Sequence, residues 1–223
     1  MNFKDVFLQH IGRSWDKQMT LSELIGGSPH WEYDLAAGTL AFQDSYTFKI
    51  QLIGTEGWRS NTWLWAWANT GSHFPSNLVQ ASLDIKAFGV KNRIMPLRTA
   101  KLPLGDRING STLSLLACGI CQGDAIYRGP DDKGALFMLI KDDAYPLPTY
   151  HPIQRVAEIF PRMIGSVHLD DPRTALKHYL ESYGLTPQIE GKTLVAQHSD
   201  GSELRATFDT IGRLQNFEAK LKP

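Results

Sequence analysis

Hydrophobic residues near the start of the chain recur every four positions, which is the spacing of one face of an α-helix. The members of this row are Phe3, Phe7, Ile11, Trp15 and Met19. They predict an amphipathic helix over residues 3–19. The sequence Gly-Gly-Ser-Pro at 26–29 ends the helical segment, because glycine and proline both disfavour its continuation.

Between Trp31 and Ala68 the spacing changes to every second residue, which is typical of strands with one buried face. The clearest case is YTFKIQLIG at 46–54, where Phe48, Ile50 and Leu52 share a face. Four such segments joined by short connections predict an antiparallel meander.

The last of these strands is expected at 62–68, with the sequence TWLWAWA. In an extended chain Trp63, Trp65 and Trp67 project to one face, and the leucine and alanines between them project to the other. Small side chains on that second face let another layer approach closely. The strand is therefore predicted to be central in its sheet.

The middle of the chain predicts further helices and a strand. Helices are expected at 75–90 and 111–126, and a strand buried on both faces is expected at 134–141. The proline-rich stretch at 145–152 is the strongest candidate for a boundary.

Beyond this boundary, helices are again followed by strands. A helix is predicted at 153–160, which Pro161 should end or kink. Asp171 is a suitable N-cap for the next helix, Pro172 fits its first position, and Gly184 closes it. Three strands are then predicted, in KTLVAQ, ELRATF and LQNFEAKL.

These elements predict an α+β fold, in which an antiparallel meander is covered by helices and a C-terminal lobe adds helices and a second meander. We expect a single domain over 1–223, which can divide into sublobes 1–144 and 151–223. The content of 42% hydrophobic and 21% charged residues is typical of a globular domain.

The balance of charges and the length of the apolar runs limit the classes of partner that the sequence predicts. The 23 basic residues balance the 23 acidic ones without forming a basic stripe, which disfavours nucleic-acid binding. The N-terminal residues lack a signal-peptide core, and no apolar run approaches the ~20 residues that span a bilayer. Without such a run, we expect a soluble protein with no membrane partner. Cys118 and Cys121 form no disulfide framework, so we expect a cytoplasmic location.

The tryptophan segment is the first candidate for a binding site. Three buried indoles remove about 150–250 Å² each from water, so they fit either a core or one wall of an apolar pocket. Arg59 before the strand and Asn69 after it could orient a ligand at the pocket mouth, although asparagine is equally a turn former. The candidate ligand-binding residues are Trp63, Trp65, Trp67, Arg59 and Asn69.

The sequence GWRSNTWLWAWAN, with LPTYHPIQRVAEIFP and FDTIGRL further on, resembles an uncharacterised bacterial domain-of-unknown-function family marked by a W-x-W-A-W-A-N strand motif. The similarity is expected to cover nearly the whole chain. It implies a soluble bacterial protein, and it assigns no catalytic residue or mechanism to any position.

Catalytic and metal-binding motifs are absent from the sequence. The C-x-x-C of ACGICQG is predicted to lie within a helix, so two buried thiols are favoured over a redox pair or half of a zinc site. Phosphate-binding loops and G-x-S-x-G do not occur. The histidines show no i, i+4 pair, so no metal or cofactor is predicted, although ligands from distant positions could still meet. They are His10, His30, His73, His151, His168, His178 and His198.

The sequence leaves two classes of function open. The favoured one is a non-catalytic binding protein, which holds a small apolar ligand against the tryptophan face or docks a protein partner, for instance a toxin that it neutralises. The alternative is an enzyme whose site is assembled from distant loops. A cleft lined by carboxylates or histidines would favour the enzyme, and a pocket lined by the tryptophans would favour the binder.

Overall fold

The computed structural model describes residues 1–27, 29–42 and 45–222. They group into two compact units. The first unit comprises Met1–Val6 and Lys17–Pro146, and the second comprises Phe7–Asp16 and Leu147–Pro223. Each contains helices and an antiparallel sheet, which confirms the α+β class. None of the helices in the described part of the chain is long and apolar enough to cross a membrane.

Helix α1 spans Phe3–Ile25 and starts at a capping box. The Asp5 amide donates to Asn2 Oδ1 and the Asn2 amide donates to Asp5 Oδ2, both at 3.0 Å. The helix ends at Gly26, whose φ of 69° is unfavourable for other residues. The helix therefore extends beyond the periodic row at 3–19 and ends at Gly26, where the glycine pair predicted the end of the helical segment.

The sheet of the first unit has seven strands, and every pairing described is antiparallel. They are β1 (Trp31–Asp34), β2 (Thr39–Phe42), β3 (Tyr46–Gly57), β4 (Thr62–Trp65), β5 (Lys101–Pro103), β6 (Ala125–Pro130) and β7 (Gly134–Ile140). Strands β1 to β5 are neighbours in chain order, while β7 pairs with both β3 and β6. The predicted meander is confirmed for β1 to β4, and β4 is central between β3 and β5.

Three helices belong to the rest of the first unit: α2 (Gln80–Lys91), α3 (Met95–Arg98) and α4 (Gly110–Ile120). Helices α2 and α4 pack against β3, whose residues Phe48, Ile50 and Leu52 are buried as the alternation predicts. The helix predicted over 111–126 is too long, because its last residues belong to β6.

Besides residues Phe7–Asp16 of α1, the described part of the second unit contains two helices and a four-stranded meander in the order β11-β10-β9-β8. The elements are α5 (Pro152–Ser166), α6 (Pro172–Glu181), β8 (Gln188–Glu190), β9 (Thr193–Gln197), β10 (Glu203–Phe208) and β11 (Leu214–Lys220). Asp171 caps α6 as predicted, since its Oδ1 accepts from the Thr174 amide at 3.0 Å.

Helix α5 continues through Pro161, so of the two predicted effects of this proline, an end or a kink, the end does not occur. An interior proline costs about 3 kcal/mol, because it removes one hydrogen bond and crowds the preceding turn. Burial outweighs this cost, since apolar side chains on both sides of the proline contribute about 1.5–3 kcal/mol each. Val156, Phe160 and Met163 are all fully buried, and Pro161 itself lies on the exposed face.

Candidate functional site

Trp63 and Trp65 lie in the core of the first unit, with no exposed surface. Their rings meet edge to face at a centroid distance of 5.3 Å, and Trp63 packs against Phe137 at 5.0 Å. The indole Nε1 of Trp65 donates to the Pro96 carbonyl oxygen at 3.0 Å. A ligand could reach these two rings only if the core opened.

Trp67 does not continue the strand, which corrects the predicted ladder of three. Strand β4 ends at Trp65, and Ala66–Ala68 form a turn of 3-10 helix. The reason is buried Ser82 on α2, whose hydroxyl accepts from the Trp67 amide at 3.2 Å and donates to the Ile53 carbonyl at 3.2 Å. The half-buried indole of Trp67 lies under the Lys86 ammonium, 4.1 Å from its ring centroid.

Arg59 and Asn69 lie in the turns on either side of this segment. Arg59 is exposed between β3 and β4, whereas Asn69 Oδ1 accepts from the Ser72 amide at 3.2 Å, as expected of a turn former. The two clefts described below are lined by none of the five predicted ligand-binding residues, which are Trp63, Trp65, Trp67, Arg59 and Asn69. A ligand-binding role for these five residues stays a prediction.

The two cysteines have the surroundings of structural thiols. Buried Cys118 lies in α4 and donates from Sγ to the Gly123 carbonyl at 3.6 Å, and Cys121 donates to the Ala81 carbonyl at 3.5 Å. Burial raises the pKa of Cys121 from 9.0 to about 12. Because the thiolate is the reactive and metal-binding form, Cys121 is a poor nucleophile and a poor ligand at neutral pH.

Two histidines and an aspartate converge in the second unit and form what we call the His–Asp–His cluster: His151, Asp200 and His198. His151 Nε2 lies 2.8 Å from Asp200 Oδ2, and His198 Nδ1 lies 3.0 Å from Asp200 Oδ1. The two imidazole rings meet edge to face at 4.7 Å. One potential ligand atom from each residue lies within 4.8 Å of the others, so the cluster could hold a metal ion.

Local backbone structure positions each member of the cluster. His151 is the N-cap of α5, and its Nδ1 accepts from the Gln154 amide at 3.4 Å. That leaves the ring proton on Nε2, which donates to Asp200. His198 and Asp200 lie in the turn between β9 and β10, where the His198 amide donates to the Ser202 carbonyl at 2.9 Å.

Asp200 is held as a carboxylate by this turn. The Ser202 amide donates to its Oδ1 at 2.7 Å. This backbone donor and the two histidines hold the pKa of Asp200 well below its usual range. No spacing rule in the sequence could have found the cluster, because His151 and His198 are brought together only by the fold of the second unit.

His198 also lines a cleft of about 640 Å³, which we call the polar cleft. Its walls are the connection from α6 to β8 and the side chains of strands β8 to β10. The lining residues are Tyr183, Gly184, Leu185, Thr186, Gln188, Glu190, Val195, Gln197, His198, Ser199 and Arg205. Arg205 pairs through Nε with Glu203 Oε1 at 2.6 Å, and its NH1 lies 3.9 Å from Glu190 Oε2.

A buried ionic network anchors one wall of the polar cleft. The hydroxyl of Tyr183 donates to Asp16 Oδ2 at 2.6 Å, and Arg155 Nε donates to Asp16 Oδ1 at 2.7 Å. Burial, together with the Asp16 carboxylate, raises the pKa of Tyr183. Arg13 supplies a further donor to Asp16 at 2.8 Å. Each carboxylate oxygen therefore has a charged or hydroxyl donor, which is the condition for a buried charge to be tolerated.

The first unit has a smaller cleft of about 500 Å³ beside the hairpin of β1 and β2. Trp31 is its main aromatic wall, and its ring stacks on Tyr33 at 6.0 Å and meets Tyr127 edge to face at 5.2 Å. The lining residues are His30, Trp31, Glu32, Ala41, Phe42, Ser45, Tyr46 and Thr47. These contacts belong to the aromatic part of the core, so we do not assign the cleft a ligand.

Comparison with known protein families shows a match to a family of unknown function over residues 4–143. The chain belongs to family DUF6882. The DUF6882 match includes GWRSNTWLWAWAN but ends before the other two sequences that suggested the resemblance, so it is shorter than expected. Neither the curated proteins nor the solved structures give a match. The His–Asp–His cluster and the polar cleft both lie outside the DUF6882 region.

Proposed function

We propose that this protein is a non-catalytic binding protein that holds a neutral, hydroxyl-rich small molecule in the polar cleft. The observation that supports this proposal is the composition of the cleft walls, which offer hydrogen-bond donors and acceptors side by side with compensated charge. The volume of about 640 Å³ falls in the range of ordinary small-molecule sites.

Charge compensation is the reason for expecting a neutral ligand. The guanidinium of Arg205 faces the carboxylates of Glu203 and Glu190, so it is not an uncompensated anion site. The amide side chains of Gln188 and Gln197 add both donors and acceptors. A polyol or sugar satisfies such a surface, because each hydroxyl both donates and accepts a hydrogen bond.

The tryptophan segment supports an apolar ligand less well. Trp63 and Trp65 are already packed against protein, so their burial contributes to folding and is not available for a ligand.

We further propose a cytoplasmic protein without a nucleic-acid partner. The absence of a disulfide between Cys118 and Cys121 in the described residues and the equal numbers of acidic and basic residues support this.

The test is a titration of the ¹⁵N-labelled protein with glucose and inositol, compared with glutamate and putrescine as charged probes. We expect the neutral polyols to shift amide resonances between residues 183 and 205, and the charged probes to shift them less. Arg205→Gln should abolish the shifts. Arg213→Gln is the matched control, since Arg213 also pairs through Nε with a carboxylate, at 2.8 Å from Asp209, but lies outside the cleft.

The titration also separates the alternatives. Equal shifts with all probes, or none with the polyols, would contradict the proposed ligand class. Chemical conversion of the added polyol would contradict a non-catalytic role and favour the enzyme, with His198 beside Asp200 as its candidate base. If no probe shifts the amide resonances of the polar cleft, docking of a protein such as a toxin becomes the better hypothesis.

A further inference from the structure

We propose that the His–Asp–His cluster binds a divalent transition-metal ion, with one imidazole nitrogen from His151, one from His198 and a carboxylate oxygen of Asp200 as ligands. Zn²⁺ and Co²⁺ are the expected ions, because imidazole and carboxylate together suit them better than they suit Mg²⁺ or Ca²⁺. The inference does not depend on the ligand proposed for the polar cleft.

The distances allow a single ion to reach all three ligands. Zinc binds nitrogen and carboxylate oxygen at about 2.0–2.2 Å, so two ligands on one ion lie at most about 4.4 Å apart. The three ligand atoms of the cluster lie within 4.8 Å of one another. Small side-chain rotations close this gap, and all three side chains are partly open to solvent, which gives an ion a path of entry.

The surroundings preorganise two of the three ligands. Asp200 is held by the Ser202 amide, which donates to its Oδ1 at 2.7 Å, so its carboxylate needs little reorientation. His198 lies in the same short turn. Its backbone amide donates to the Ser202 carbonyl, which fixes the backbone that carries the His198 ring. Since three protein ligands leave at least one coordination position for water, the site has the composition of an open rather than a closed zinc site.

His151 has to change its tautomer to bind the ion. In the structure its Nδ1 accepts from the Gln154 amide and its Nε2 proton is donated to Asp200. Coordination through Nε2 requires that proton to move to Nδ1, which can then no longer accept from Gln154. The number of protons on the ring is unchanged. Two hydrogen bonds are lost, the 3.4 Å bond from Gln154 and the 2.8 Å bond to Asp200, and the ion replaces the second by binding both side chains. Metal binding should therefore loosen the first turn of α5 and perturb the Gln154 amide.

The test uses the full chain, Zn²⁺ alone in calorimetry, and Co²⁺ alone in visible absorption. We expect one ion per chain, an intense Co²⁺ spectrum of low coordination number, and a shift of the Gln154 amide resonance on addition of Zn²⁺. Mg²⁺ should produce none of these changes. His151→Asn is the informative variant, because asparagine preserves the N-cap of α5 but supplies no imidazole.

His151→Asn and His198→Asn should each weaken Zn²⁺ binding at least about tenfold. His168→Asn is the matched control, since His168 also pairs with an aspartate, 3.3 Å from Asp170, and should bind Zn²⁺ as the wild type does. Absence of a one-to-one Zn²⁺ complex in the wild type would overturn the proposal. So would wild-type affinity in both cluster variants, once circular dichroism shows that they are folded.

Discussion

Arg155 and Asp16 form a buried ion pair between residues 139 positions apart in the sequence. Arg155 Nε lies 2.7 Å from Asp16 Oδ1, and the two side chains are 3% and 1% exposed. The guanidinium also lies over the Tyr150 ring, at 4.0 Å from its centroid. Within the second unit, this pair links a carboxylate of α1 to a guanidinium of α5.

Removal of Arg155 should destabilise the protein strongly. Arg155→Ala leaves Asp16 buried without its main cation, and breaking such a pair typically costs about 3–5 kcal/mol. Arg162→Ala is the control on the same helix, because Arg162 is 57% exposed and its nearest carboxylate oxygen on Glu158 is 3.7 Å away. We expect it to change the free energy of unfolding by less than about 0.5 kcal/mol. Urea denaturation followed by circular dichroism measures both, and similar costs would contradict the assignment.

Gly12 should not tolerate alanine, although alanine normally stabilises a helix interior. A Cβ at Gly12 would lie 2.6 Å from Tyr179 Cγ, which is buried and cannot retreat. We expect Gly12→Ala to cost about 1–3 kcal/mol through overpacking. Gly165→Ala in α5 meets no atom within 4 Å and should be neutral or stabilise by up to about 1 kcal/mol. The thermal midpoint should therefore fall for Gly12→Ala and stay level or rise for Gly165→Ala.

Trp63 and Trp65 provide a matched pair for measuring one hydrogen bond. Both are fully buried on β4, but only Trp65 has a Nε1 acceptor, the Pro96 carbonyl oxygen, among the described residues. Replacement by phenylalanine removes the same atoms at each site. Trp65→Phe should cost about 1 kcal/mol more than Trp63→Phe, because it also leaves that carbonyl unpaired. Equal costs in chemical denaturation would show that the bond contributes nothing.

Cys121 should react slowly with iodoacetamide in the folded protein. With a pKa of about 12, only about one molecule in ten thousand carries the thiolate at pH 8. Mass spectrometry should find Cys121 unmodified after an exposure that fully alkylates the chain in guanidinium chloride. Rapid modification of the native protein would contradict this environment.

The raised pKa of Cys121 also predicts how the free energy of unfolding depends on pH. Because folding raises the pKa of Cys121 from 9.0 to about 12, its contribution is complete below pH 9 and is lost as the pH rises toward 12. The unfolding free energy of the wild type should therefore fall more steeply over this range than that of Cys121→Ala. If the unfolding free energies of the wild type and Cys121→Ala change in parallel with pH, the thiol is not shielded from solvent.

Local patterns were sufficient for the elements whose ends are set by neighbouring residues. Alternation identified the buried face of β3, and the Asp171–Pro172 pair identified the start of α6, because an N-cap acts within a single turn. The α+β class followed from these local elements. In the same way, Asn69 forms a turn through its own neighbour Ser72.

The remaining features depend on residues that are distant in the sequence. Strand β4 stops at Trp65 because the Trp67 amide donates to Ser82, fifteen residues beyond Trp67 in the sequence. Helix α5 passes Pro161 because of what its buried face contacts. The His–Asp–His cluster is the extreme case, since His151 and Asp200 meet only when α5 and the β9–β10 turn are both in place.

Helix α1 has one further consequence, for how the chain can change over time. Its residues Phe7–Asp16 belong to the second unit, and the turns on either side belong to the first. A protein made from a gene segment that encodes only residues 147–223 would lack Asp16. Arg155 and Tyr183 would then have lost the carboxylate that they share. We expect recombination to transmit the two units together, since a single exchange anywhere after Asp16 separates the second unit from its own helix.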